Sequence, residues 1–143
     1  MITVGQLVKR QAITLPHSAR IAEAAKLMSK QRVGLVVLTD PDEKSQVIGV
    51  VSERDIIRGL AKGLTPKSPV SKIATRTVVT IASDSDVGKA ARLLTEKGIR
   101  HLVVLDDRQR LSGVISVRDL VAERETLKAI VASYETEPVT GVD

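Results

Sequence analysis

Two short segments of the chain combine a hydroxyl and a carboxylate at a spacing that suits ligand binding. Residues 49–57 read GVVSERDII and residues 113–121 read GVISVRDLV. Both have a glycine, two β-branched residues, a serine, and then an arginine-aspartate pair before two aliphatic residues. A carboxylate in the first turn of a helix suits the neighbouring hydroxyls of a ribose, which can both donate hydrogen bonds to it. The first candidate binding residues are therefore Ser52, Asp55, Ser116 and Asp119.

The same spacing has a structural interpretation. A serine followed three residues later by an acid is close to a capping box, in which each side chain accepts a backbone N–H at the start of a helix. The two interpretations are compatible, because a helix start with free N–H groups also suits an anionic phosphate. Arg54 and Arg118 point about 100° away from the aspartate on such a helix. A solvated position is therefore the alternative to a phosphate contact for both arginines.

The motif belongs to a longer internal repeat. Shifting the chain by 66 positions aligns Val4 with Val70, and the offset falls to 64 after Asp40, where the first copy has a turn two residues longer. Such a change in a polar turn is tolerated easily. The predicted domains are repeat 1 (1–63), a linker (64–69), repeat 2 (70–122), and a C-terminal helix extension with a frayed tail (123–143).

Both repeats show the hydrophobic periods of the same elements. A short lead precedes an extended segment, a helix, two aliphatic strands and the helix that begins at the motif. We predict an α+β fold of two β-α-β-β-α repeats, related by a pseudo-two-fold, with sheets packed against helices. Ser18, and Ser83 or Ser85, are the predicted caps of the first helix in each repeat. One last helix is predicted from Val117 to about Tyr134.

Composition excludes several classes of function. The 143 residues include no cysteine, which excludes disulfides and thiolate metal sites, and two histidines, too few for a zinc site without converging carboxylates. The net charge is +5 but the basic residues are dispersed, and Tyr134 is the sole aromatic, so we do not expect nucleic acid as a partner. No apolar stretch approaches the ~20 residues of a membrane span. We expect a soluble, cytoplasmic protein with no signal peptide.

Two β-α-β-β-α units that each end in Gly-aliphatic-aliphatic-Ser-x-Arg-Asp resemble a pair of CBS domains, the tandem called a Bateman module. The sequences GLVV at 34–37 and IRHLVV at 99–104 resemble the middle strand of that family. The resemblance implies a stand-alone regulatory module that binds AMP, ADP, ATP, NAD or S-adenosylmethionine in two clefts between the repeats. It implies that the motif aspartate holds the ribose hydroxyls and that the serine lies near phosphate or ribose. It also implies a homodimer.

The extended lead segments supply further candidates. Thr14 and Thr80 occupy matching positions, and the resemblance implies that they touch a purine or ribose, although threonine is ordinary in an extended segment. His17 is expected at the surface. Because no second aromatic residue is available, adenine would have to lie between aliphatic side chains. The predicted apolar walls are Ile13, Leu15, Val79 and Ile81.

Arg100 and His101 break the symmetry of the repeats, because they align with Gly34 and Leu35. A charge beside a buried strand needs a reason. One reason is an ion pair with Asp119 or a nearby acid, and the other, which the resemblance favours, is a phosphate ligand. We therefore predict two unequal sites, of which the one with Arg100 grips phosphate.

The sequence offers no support for catalysis. Neither serine lies in G-x-S-x-G, and the P-loop and G-x-G-x-x-G motifs are absent. Our interpretation is a regulatory sensor, not an enzyme, that takes an adenine nucleotide as its regulatory ligand and requires no cofactor or metal. The alternative is a structural or adaptor module that dimerises and binds an unidentified protein partner without nucleotide.

Overall fold

Two three-stranded sheets with flanking helices make up the structure, a computed structural model that describes residues 1–122 and 124–136, apart from the side chain of Arg124. The tail predicted from residue 137 lies outside the described residues. In each sheet the middle strand runs parallel to the first and antiparallel to the third. The predicted α+β class and the two repeats are confirmed. The strands are β1 (Thr14–Pro16), β2 (Leu35–Thr39), β3 (Val47–Ser52), β4 (Thr80–Ala82), β5 (His101–Leu105) and β6 (Leu111–Ser116).

The helices follow the repeat as well. Both copies place a long helix after the first strand and begin another directly after the third strand, and both have a short helical lead. The long helices bury apolar residues on one face, such as Ala24 and Met28 in the first copy and Ala90 and Leu94 in the second. The helices are α1 (Val4–Leu7), α2 (Ile21–Gln31), α3 (Glu53–Ala61), α4 (Val87–Lys97), α5 (Val117–Val121) and α6 (Arg124–Thr136), with a 3₁₀ turn at Val70–Lys72.

The compact units do not coincide with the sequence repeats. One unit is residues 12–78, and the other joins residues 1–11 to the residues from 79 onward. Val4 of the N-terminal lead is fully buried in the core of the second repeat, and its N–H donates to the Ser85 carbonyl at 2.8 Å. Val70 of the second repeat's lead is buried in the core of the first repeat, where its N–H donates to the Ala19 carbonyl at 2.8 Å. Each lead therefore completes the core of the other repeat.

The predicted serine caps of the two long helices are wrong. Helix α2 begins after Arg20, not after Ser18, and α4 begins after Asp86. The first N–H groups of α2 donate to linker carbonyls, Ile21 to Ser68 and Ala22 to Pro66, both at 2.9 Å. Backbone from the linker thus satisfies the donors that a serine side chain was predicted to satisfy.

In both repeats, an aspartate carboxylate accepts backbone N–H groups in the polar turn between the two antiparallel strands. The Asp40 carboxylate accepts the Asp42 N–H at 2.8 Å. The Asp106 carboxylate accepts the N–H groups of Arg108 and Arg110, both at 2.9 Å. These interactions lower the pKa of Asp106. The hydrogen bond from the Arg110 N–H has the largest effect, and the Arg108 N–H and the charge of Arg110 add to it. The predicted turns are therefore present at matching positions.

The single C-terminal helix predicted from Val117 is wrong, because α5 ends at Val121 and α6 starts at Arg124. Leu120 and Thr126 are both buried, with exposed fractions of 3% and 0%. Six residues apart on one straight helix, they would point about 120° away from each other. The interruption lets both side chains turn inward.

Arg32 ends α2 in the left-handed conformation, at φ 55° and ψ 47°, and the matching residue at the end of α4 is Gly98, at φ 62° and ψ 34°. A side chain strains this conformation and glycine does not. We expect Arg32→Gly to raise the free energy of unfolding by about 0.5–1 kcal/mol, and Gly98→Arg to lower it by about 1 kcal/mol. Urea unfolding of both variants tests this, and a loss of stability in Arg32→Gly would contradict it.

Candidate functional site

Ser116 and Asp119 form a complete capping box at the start of α5. The Ser116 N–H donates to Asp119 Oδ2 at 2.8 Å, and the Asp119 N–H donates to Ser116 Oγ at 3.3 Å. The serine hydroxyl also donates to Asp119 Oδ2 at 3.2 Å. The structural interpretation of this motif therefore holds, and two hydrogen bonds from Ser116 fix the side chain of Asp119.

Ser52 and Asp55 form the same box at the start of α3. The Ser52 N–H donates to Asp55 Oδ2 at 2.9 Å, and the Asp55 N–H donates to Ser52 Oγ at 3.2 Å. Both side chains are half-buried, as are those of the matching pair. The two repeats thus present the same hydroxyl and carboxylate in the same local geometry.

The boxes use only one oxygen of each carboxylate. Within residues 1–122 and 124–136, Oδ1 of Asp55 and Oδ1 of Asp119 accept no hydrogen bond. A half-buried, charged oxygen held in place by its neighbour is a strong acceptor for a ligand hydroxyl. Capping therefore orients the aspartates and leaves them able to bind.

Strand register brings further candidates onto the same surface. His101 pairs with Ser116, and Thr80 pairs with Val103, two residues further along β5. Paired residues, and residues two apart on a strand, share one face of a sheet. Thr80, His101 and Ser116 therefore share a face, with Thr80 about 7 Å along the strands from Ser116. We call this the site face, and in the first repeat its members are Thr14, Leu35 and Ser52.

The predicted apolar walls lie on the other face. Ile13 and Leu15 pack against the core of the first repeat, and Val79 packs against that of the second, where Ile81 is buried. Valines occupy the site face instead, and sequence reasoning missed them. An uninterrupted aliphatic run signals a strand with apolar residues on both faces. The site-face valines are Val37, Val50, Val103 and Val114.

Arg100 lies directly beside the second capping box. Its carbonyl accepts the Val117 N–H at 3.0 Å, just as the Gly34 carbonyl accepts the Glu53 N–H at 3.1 Å in the first repeat. The Arg100 side chain is exposed and forms no ion pair in the part of the chain that the structure describes. The ion-pair alternative for Arg100 is therefore wrong. Arg100 thus lies next to the second capping box through its backbone, and the matching residue of the first repeat is the uncharged Gly34.

The remaining candidates divide by exposure. Arg54 and Arg118 are exposed, as the solvated alternative expects. His101 is half-buried and engaged in an interaction, whereas Leu35 at the matching position is 8% exposed.

No cluster of three or more histidine, aspartate or glutamate side chains suited to a metal ion occurs among the described residues. No described helix has the length and apolarity that a membrane span needs.

Comparisons with known proteins show the family of this chain. The family model of the CBS domain matches residues 4–62 and 70–125. The chain belongs to the CBS domain family. It is 30% identical over 132 residues to an uncharacterized protein of Methanopyrus kandleri. The matched segment covers 91% of this chain but only 66% of the relative's length.

Solved CBS structures share the fold. A CBS domain protein from Pyrobaculum aerophilum, complexed with AMP, matches with a TM-score of 0.87 and 39% identity, over 92% of this chain and 99% of its own. A CBS domain pair complexed with 5′-methylthioadenosine and S-adenosyl-L-methionine matches with a TM-score of 0.77 and 26% identity, over 85% and 94% of the two chains. The suspected relationship to CBS domain pairs is thus confirmed.

Proposed function

We propose that this CBS protein is a regulatory module whose ligand is an adenosine phosphate, with AMP as the first candidate. The observation that carries the proposal is the pair of aspartates, each held by its capping box with Oδ1 unused. Vicinal ribose hydroxyls are the matching donors, since one carboxylate can accept from both. The similarity over nearly the whole chain to a protein complexed with AMP supports an adenosyl ligand.

The two repeats would then bind differently. In the second repeat Arg100, whose carbonyl accepts the first N–H of α5, adds a cation near Asp119. In the first repeat Gly34 provides only its carbonyl, and Leu35 replaces His101. The site of the second repeat therefore selects a phosphorylated adenosine, and the site of the first accepts a less charged one or binds weakly. Thr80 and Thr14 are the proposed purine or ribose contacts on the two site faces, and the expected clefts between the repeats remain a prediction.

Regulation follows if the ligand prefers one arrangement of the protein. A ligand shifts an equilibrium only by its difference in affinity for the two states. We propose no catalytic role for this chain, so the output is a change in what a partner protein contacts. The expected homodimer stays a prediction, which is supported by exposed aliphatic side chains on α3 and α5, such as Ile57 at 67% and Val121 at 52%.

Thermal unfolding with AMP, ATP, NAD and S-adenosylmethionine tests the proposal against the adaptor alternative. A ligand at 100 times its Kd stabilises the folded protein by about 2.7 kcal/mol, which raises the Tm of a domain of this size by roughly 10 °C. We expect this shift with AMP, and a smaller one with adenosine. An unchanged Tm with all four ligands at millimolar concentration would favour the adaptor, whose partner binding needs no nucleotide.

A further inference from the structure

A second concave site lies within the first compact unit, away from the motif. It is a cavity of about 250 Å³ that we call the His17 pocket. All of its lining residues fall within residues 12–78. The lining residues are His17, Leu38, Ile48, Ser71, Ala74 and Arg76.

The His17 pocket is distinct from the proposed nucleotide site. Leu38 pairs with Gly49, whereas Ser52 of the motif pairs with Leu35, three residues back along β2. That separation is about 10 Å. Leu38 also belongs to the core of the first repeat, on the opposite face of the sheet from Ser52. A ligand in one site would therefore not contact the other.

The lining combines an apolar floor with a polar rim that includes the guanidinium of Arg76. Leu38, Ile48 and Ala74 supply the floor. His17 and Arg76 are exposed, and neither forms a hydrogen bond or ion pair with another residue of the described chain. Among the residues that the structure describes, no acid lines the cavity, and Ser71 adds a hydroxyl donor. A guanidinium fork without a partner matches the two oxygens of a carboxylate.

The second repeat provides a comparison in which the same place is filled. The residue that matches Ala74 is Val8, and a Cβ built on Gly113 of β6 would overlap the Val8 side chain. A Cβ on the matching Gly49 would lie 3.8 Å from the Ala74 Cβ, at ordinary contact distance, and 3.2 Å from the Thr75 carbonyl oxygen. The alanine side chain thus occupies less of this place than the valine side chain of Val8 does. The other rim residues change as well, since Ser83 and Gly5 stand where His17 and Ser71 are.

We propose that the His17 pocket binds a small carboxylic acid with a short aliphatic chain. Arg76 pairs with the carboxylate, and His17 and Ser71 donate to it from the rim. The aliphatic chain packs on Leu38, Ile48 and Ala74. The cavity is smaller than the 300–1,000 Å³ typical of drug-sized ligands, which favours a ligand smaller than a nucleotide. The ligand is therefore of a different class from the adenosine phosphate proposed for the motif.

Titration of the ¹⁵N-labelled full chain with butyrate, followed by amide chemical shifts, tests the pocket. We expect saturable shifts centred on Ser71 and Ala74, with millimolar Kd, in the absence of AMP and with AMP at saturation. Butyramide, which has the same shape but no charge, should bind at least ten times more weakly. Arg76→Gln should weaken butyrate about tenfold, and Ala74→Val, which copies the second repeat, should abolish binding while it keeps the charges.

Arg10→Gln is the matched control, because Arg10 aligns with Arg76 in the repeat that carries Val8, and it should leave butyrate binding unchanged. Wild-type affinity in both Arg76→Gln and Ala74→Val, with native amide spectra, would overturn the proposal. Inorganic phosphate that binds as tightly as butyrate would also overturn it, because the apolar floor would then contribute nothing. Asp119→Ala should keep butyrate binding, so failure of this site and failure of the nucleotide site are distinguishable.

Discussion

Replacement of Asp119 by alanine is expected to weaken AMP and adenosine alike, each by about 100-fold. The variant removes the acceptor of two ribose hydroxyls, and hydrogen bonds to a charged group contribute about 1.5–3 kcal/mol each. A loss near 3 kcal/mol corresponds to roughly two orders of magnitude in Kd. Because AMP and adenosine share the ribose, the ratio of their affinities should stay constant. Calorimetry with both ligands measures the change.

Ser116→Ala is the control that separates binding from capping. Asp119→Ala also leaves the Ser116 N–H without its acceptor, which costs the helix start about 1 kcal/mol. Ser116→Ala loses a hydroxyl of the same box but keeps the carboxylate, so its loss of stability should be similar and its loss of affinity much smaller. Equal losses of affinity in the two variants would mean that the motif acts through the helix start and not through the carboxylate.

Replacement of Arg100 by alanine is expected to discriminate between the two ligands. AMP should bind about 10 to 100 times more weakly, which is the value of one or two charge-assisted hydrogen bonds, and adenosine should change by less than about twofold. The exposed side chain makes no ion pair in the described chain, so the variant should keep the stability of the parent. Calorimetric Kd values and the Tm of the free protein check both statements.

The first repeat offers the reciprocal variant. Gly34→Arg places a guanidinium where the second repeat has one, and it should increase the affinity of the first site for AMP over adenosine. Equal losses for AMP and adenosine in Arg100→Ala would contradict the role of Arg100 in holding phosphate. A Gly34→Arg protein that gains nothing would show that the charge alone does not make the sites unequal.

Local sequence signals predicted much of this fold. The serine-aspartate spacing predicted both capping boxes, because the donors and acceptors lie within one helical turn. The aliphatic runs predicted the middle strands, whose apolar residues fill both faces. The unequal turns after Asp40 and Asp106 were also visible, since a two-residue change of offset falls between paired strands.

Features that depend on distant residues were not predictable in this way. No local pattern indicates that Pro66 and Ser68 would supply the acceptors for the first N–H groups of α2. The faces of Ile13 and Val79 depend on register with β2 and β5, so a plausible adenine wall turned out to pack in a core. The interruption at Ala122 follows from burial on both sides of it, which only the packed structure shows.

The exchanged leads have a consequence for the order in which the protein folds. Residues 12–78 are contiguous, so this unit has its whole core once residue 78 has left the ribosome. The other unit must join α1 to strands encoded in the second half of the chain, as in the bond from Val4 to Ser85. Closing so long a loop lowers the entropy of the chain before the contacts that offset this loss can form, which slows folding. Helix α1 thus emerges before residues 12–78 but should reach its native place after them.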